Sequence, residues 1–258
     1  MSDPARDRGD LQVWQAHTLR MTAFPATPVP VGEHTWWTDT VGGDPDTRVV
    51  RRKSGEQTEE GPLGPGKMAL RLTPGRVDWL LTPQDSTEES PVGFPVLGAY
   101  RDAADLFTPV VRRWLGLANT PDLQRIAFGT VLLRPVGTIE EGYGLLSSYL
   151  PSVQIDPERS RDLLYQINRP RPSTCGPTDL QINRLSKWSV AAVQMMRIPI
   201  APLALPVQQG LAQLACRLEL DVNTAADYRG PLDRQQMVPL FEEIVRLAEE
   251  IACCGDRP

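Results

Sequence analysis

Between residues 217 and 222 every second side chain is apolar: Leu218, Leu220 and Val222 alternate with Arg217, Glu219 and Asp221. Only an extended backbone sends successive side chains to opposite faces, so the series predicts a strand with one buried face and one wet face. The same period of two recurs in Met68, Leu70 and Leu72. It resumes in Val77, Trp79 and Leu81 after Pro74-Gly75, which predicts a β-hairpin. Leu123 to Arg134 carries Ile126, Phe128 and Leu132 on one side and Ala127, Val131 and Leu133 on the other. That strand is expected at the centre of a sheet, covered on both faces. Leu11–Phe24, Leu163–Asn168, Leu180–Met195 and Leu211–Val222 read as further strands.

Three segments have the helical period instead. From Ala99 to Leu117, Tyr100, Ala103, Phe107, Val110, Val111 and Trp114 share a face. Pro109 either kinks this helix or opens a second one capped by Thr108. Thr138-Ile-Glu-Glu141 matches a capping box and opens a helix to Leu150. The last helix is expected to cap at Asp233 and to bury Met237, Leu240, Phe241, Ile244, Leu247 and Ile251.

With 25 prolines and 20 glycines in 258 residues, an all-helical bundle is excluded. Runs of strands followed by helices predict an α+β fold, an antiparallel sheet with packed helices. Residues 1–10 read as a disordered tail. Residues 11–118 form a first α+β half with a long Pro/Gly loop at 25–67, and 119–258 a second half ending in the amphipathic helix. A faint duplication supports two similar strand-strand-strand-helix halves. Leu11-Gln12 and Thr18 align with Leu123-Gln124 and Thr130, a spacing of 112. Arg76-Val-Asp78 aligns with Arg217-Leu-Glu219, a spacing of 141.

The common chemistries fit poorly. Net charge is −5, and the one basic cluster, Arg51, Arg52 and Lys53, is answered at once by Glu56, Glu59 and Glu60, so nucleic acid is not an expected partner. The cysteines, Cys175, Cys216, Cys253 and Cys254, form no C-x-x-C pair and there are only two histidines, so no metal site is expected. Gly61 to Lys67 copies the spacing of a phosphate-binding loop. However, Met68 stands where the hydroxyl should be, Pro62 and Pro65 remove two N–H donors, and the segment precedes a strand. No cofactor is expected. Glu219, Asp221 and Asp78 fall on the wet side of strands, where a carboxylate makes a poor general acid at neutral pH. No G-x-S-x-G elbow occurs. A pairing of Cys175 with His34, or a site using His17, is left open by sequence alone.

Six residues stand as candidates for binding: Trp36 and Trp37 as an aromatic surface, Arg51 and Arg52 in the basic cluster, and Arg169 and Arg171 in the stiff stretch Asn168-Arg-Pro-Arg-Pro172. For the tryptophans, anchoring of the long loop is the competing reading. No stretch approaches the ~20 apolar residues that span a bilayer, and no signal peptide opens the chain, so a cytoplasmic protein without a membrane partner is expected.

Leu123-Gln-Arg-Ile-Ala-Phe128, a helix ending Ser148-Tyr-Leu-Pro151, Ile182-Asn-Arg-Leu185, Leu218-Glu-Leu-Asp-Val222 and a last helix with Phe241-Glu242 follow in a familiar order. Over roughly residues 95 to 250 the chain resembles a sporadically distributed, functionally uncharacterised bacterial family of similar length. Its members tend to carry a second Arg and an Asn where Gly129 and Leu132 stand here. The resemblance implies an accessory role, such as defence or toxin control. Together with the missing catalytic motifs, it makes a non-catalytic interaction protein the leading expectation. Its partner would be another protein, encoded nearby, and self-association is compatible with the pattern. The alternatives are a hydrolase-like enzyme with a site between the halves and a nucleic-acid-associated accessory protein.

Overall fold

The computed structural model describes residues 11–32, 34–84, 94–193 and 213–257. The expected tail at 1–10, the Gln194–Met195 end of one strand and the 211–212 start of the next lie outside them. The strands are β1 (Gln15–Pro25), β2 (Thr47–Arg51), β3 (Glu56–Leu63), β4 (Gly66–Thr73), β5 (Arg76–Pro83), β6 (Leu123–Val136), β7 (Leu164–Asn168), β8 (Arg171–Pro172), β9 (Gln181–Val193) and β10 (Gln213–Thr224). The helices are α1 (Trp36–Thr40), α2 (Tyr100–Leu115), α3 (Ile139–Tyr149) and α4 (Met237–Cys254). The fold is α+β: one ten-stranded antiparallel sheet with packed helices. None of these helices is long and apolar enough to cross a membrane.

The strand order is β2-β3-β4-β5-β1-β6-β10-β9-β7, with β8 also on β9. Read outward from the central pair β1–β6, each arm runs first strand, last strand, last but one. The register matches too. Asp78 of β5 pairs with Thr22 of β1, and Glu219 of β10 pairs with Val131 of β6. Laying Asp78 on Glu219, a spacing of 141, puts Thr22 on Val131, a spacing of 109, and Arg20 on Gly129. Arg20 and Gly129 are themselves cross-strand partners, so the local dyad passes between them. The spacing of 112 expected for the first strands is corrected to 109. A register shift between Ala16 and Thr18, at His17, offsets the first residues of β1 from the rest.

The helices lie on one face. Leu19, Met21, Trp79, Phe128, Leu132, Leu218 and Val222 point to that face and are buried there. The stripe of α4 expected from sequence is buried in full, Met237, Leu240, Phe241, Ile244, Leu247 and Ile251. Each such side chain contributes on the order of 1.5–3 kcal/mol of transfer free energy. Phe128 sits between Phe107 of α2 and Phe241 of α4, at 6.3 and 6.2 Å between ring centroids. Cys216 faces α3 and donates to the Gly142 carbonyl, and burial pushes its thiol up to about 12. Strand β6 is central as expected, and among the described residues the helices cover one of its faces only. Ala127, Gly129 and Val131 lie on the other face, over which no described helix packs, here called the uncovered face.

One further expectation is corrected, and one open alternative is decided. Residues 25–67 are not one loop, because they hold α1, β2, β3 and the start of β4. The inward positions of β3 are Gln57, Glu59 and Gly61 rather than apolar residues. Its pairing with β2 is reinforced by Arg48–Glu59 at 3.0 Å and Arg51–Glu56 at 3.3 Å. Pro109 does not start a second helix, since α2 runs through it and Thr108 Oγ1 donates to the Ala104 carbonyl at 2.9 Å. At α3 the capping box forms as read. Thr138 Oγ1 accepts from the Glu141 N–H at 3.1 Å, and Glu141 accepts from the Gly137 N–H at 2.7 Å. Asp233 caps a 3-10 turn, Arg234–Gln236, that leads directly into α4.

Candidate functional site: a trench across the uncovered sheet face

The uncovered face alternates cations and acids. Arg76 pairs with Asp78 at 2.6 Å, Lys67 with Glu60 at 2.7 Å, Lys187 with Glu219 at 3.1 Å and Arg217 with Glu219 at 3.3 Å. Matching positions in the two arms carry matching charges: Arg76 with Arg217, Asp78 with Glu219, and Arg71 with Lys187. This likeness breaks in the row that crosses the dyad. There Leu80 answers Asp221, and Arg20 answers Gly129.

The broken row is the floor of a depression of about 400 Å³. Its lining includes Leu80 of β5, Thr18 and Arg20 of β1, Gly129 and Val131 of β6, Glu219 and Asp221 of β10, Leu185 and Lys187 of β9, and Gln166 of β7. These belong to six neighbouring strands, so the depression is a trench running across the strands. Gly129 makes the room. A Cβ built there would lie 3.6 Å from Arg20 Nη2 and 3.8 Å from Nε, which places the guanidinium over the glycine. Arg20 is exposed and makes no hydrogen bond or ion pair among the described residues. Asp221 is also exposed, and it accepts from Asn223 Nδ2 at 3.0 Å. Among the described residues no histidine or cysteine lines the trench.

The residues singled out from sequence lie elsewhere. Trp36 and Trp37 are 1% and 2% exposed and belong to the core. Trp36 stacks on His34 and meets Trp114 edge-on, and Trp37 stacks on Trp79. They anchor α1 and present no binding surface, since burying such rings is worth more than displaying them. Arg51 and Arg52 are exposed at the β2–β3 turn, Arg51 against Glu56. Arg169 and Arg171 are turned inward. Arg169 grips Asp256 with Nε and with Nη2, the latter at 2.9 Å, and Arg171 pairs with Glu250 at 2.8 Å. Tyr165 and Ser152 also donate to Asp256, at 2.5 and 3.0 Å. The Arg169 guanidinium, followed by these hydroxyls, outweighs burial and holds the Asp256 carboxyl at about 2. Nearer the start of α4, burial pushes the Glu243 carboxyl up, but hydrogen bonds from Thr174, Ser173 and two backbone N–H groups hold it below its usual value. These arginines and acids lock β7, β8 and β9 to α4 and are not free to meet a partner.

The other chemistry-bearing groups stay apart. His17 Nδ1 bonds the Pro95 carbonyl, His34 Nε2 bonds the Pro30 carbonyl, and the Cys175 N–H bonds Ser173 and Glu243. Asp78 accepts from Thr22 at 2.5 Å and pairs with Arg76. Residues 61–68 form the β3–β4 hairpin, with Gly64 at φ +57° in its turn, so that glycine-rich stretch leads into a strand and opens no helix. Among the described residues no three His, Cys, Asp or Glu side chains are grouped to hold a metal ion. No family model matches the chain, and neither a curated protein nor a solved structure matches it.

Proposed function

We propose that this chain is a non-catalytic binding protein that holds another protein against the uncovered face of its sheet, centred on the trench. The observation that carries the reading is Arg20. Its neighbours Arg71, Arg76, Lys187 and Arg217 are all paired, whereas Arg20 lies over Gly129 with no partner among the described residues. An exposed arginine held above a glycine floor is suited to recognition, because its fork of donors is available without first breaking an internal pair. The exposed acids of the trench are poorly suited to general acid catalysis.

The test is a paired capture from an extract of the native host with tagged wild type and a Gly129→Trp variant. The indole would fill the trench, and the contacts around a Cβ at this position, 3.5 Å or longer, leave the strand intact. A stoichiometric protein held by wild type and lost by the variant is expected. Equal recovery by both, or none by wild type, rejects the reading.

A further inference from the structure

The row that crosses the dyad has an order of chemistry that specifies more than a surface. From β5 to β9 it reads Leu80, Arg20, Gly129, Asp221, Leu185, one residue per strand. Two apolar side chains flank a cation and an acid, and a gap separates the charges. Arg20 and Asp221 make no ion pair with each other: the Arg20 guanidinium lies over Gly129, and Asp221 is bonded by Asn223. Elsewhere on this face the arms balance each acid with a cation, so the unpaired charges at the dyad mark the place where symmetry has been given up.

We infer that the trench takes an extended segment of a partner protein in which an acidic residue and a basic residue stand two apart, flanked by apolar residues at the same interval. This rests on the binding reading above. The trench crosses six strands, a length of about 24 Å at ~4.8 Å per strand, which accommodates an extended segment of about seven residues. Because the Arg20 guanidinium already reaches one strand toward β10, the remaining separation from Asp221 is near one strand spacing, ~5 Å. Side chains on one face of an extended peptide recur at about 6.7 Å, which matches that separation far better than the ~13 Å of the next repeat. The acid meets Arg20, the base meets Asp221, and apolar residues two places further out on each side reach Leu80 and Leu185. A segment with two acids would crowd Asp221 and Glu219, and one with two bases would crowd Arg20.

The experiment measures binding of four fluorescent heptapeptides to the full chain by anisotropy at low salt. The lead peptide is Leu-Ser-Glu-Ser-Lys-Ser-Leu, and the others replace Glu and Lys by Gln and Gln, Glu and Glu, or Lys and Lys. Wild type is expected to prefer the mixed-charge peptide to the Gln peptide by roughly threefold to tenfold, as two partly exposed charge pairs allow. Arg20→Glu is expected to shift the preference to the Lys–Lys peptide, and Asp221→Lys to the Glu–Glu peptide. Both sites are exposed, so the fold survives the substitutions, and thermal unfolding confirms it. Equal binding of the mixed and Gln peptides by wild type, or an unchanged preference in Arg20→Glu, overturns the inference. If Gly129→Trp loses the captured host protein while Arg20→Glu keeps it, the binding face stands and the charge rule falls. If both variants keep it, both fall.

Discussion

Replacing Asp256 by Asn removes the charge on which Arg169, Tyr165 and Ser152 converge, and the loss can be sized from the structure. The carboxyl is held at about 2 in the fold, against 3.8 for the ordinary group. The ionised form therefore favours folding. Its contribution is complete above about pH 5, falls as the pH drops through those two values, and is gone below about pH 1. At 1.36 kcal/mol per pH unit the gap corresponds to about 2 kcal/mol. The Asp256 side chain is 2% exposed and that of Arg169 28%, so solvent screening trims this figure modestly. Urea unfolding of wild type and Asp256→Asn at a series of pH values measures it. At pH 7 the variant should be less stable by about 2 kcal/mol, a fall in Tm of about 4–8 °C for a chain of this size. The difference should close as the pH falls to about 1, since all other titrating groups are common to both proteins. A difference that is absent at pH 7, or that does not change with pH, would refute the assignment of this charge as the clasp between β7 and α4.

Gly255 closes α4 at φ +73°, and a Cβ there would fall 2.0 Å from the Tyr149 carbonyl oxygen, so Gly255→Ala should cost about 3 kcal/mol or more, read by denaturant midpoint. Trp36→Ala and Trp37→Ala should each cost about 3–5 kcal/mol as core deletions, whereas removal of surface aromatics would leave Tm nearly unchanged. Thr138→Ala deletes the cap of α3 and should cost about 1 kcal/mol, a loss of about 2–4 °C in Tm.

What was legible in the chain was whatever apolar period makes visible. Leu218, Leu220 and Val222 alternate and are buried, and the hairpin about Pro74-Gly75 forms as β4 and β5. Strands β2 and β3 were not legible, because Gln57 and Glu59 occupy their inward positions, held by each other and by Arg48. Trp36 and Trp37 were ambiguous because a pair of tryptophans anchors and displays equally well until something packs on it. The trench was the least legible feature. Arg20 is one polar residue in one strand, and Gly129 one small residue in another. Their relation is a cross-strand register over 109 residues, and no local pattern encodes it. The inward turn of Arg169 and Arg171 depends likewise on Asp256 and Glu250, which follow about 80 residues later.

The central seam also sets an order of events during synthesis. Strand β1 is made first, yet one of its partners, β5, ends at Pro83 and the other, β6, ends at Val136. Until residue 136 has left the ribosome, the finished first arm presents the bare backbone of β1 along its flank, a template for any stray strand nearby. Such long-range closure belongs to the slow end of folding, milliseconds to seconds, so the nascent chain must keep that flank from wrong pairings while its second half is still being made.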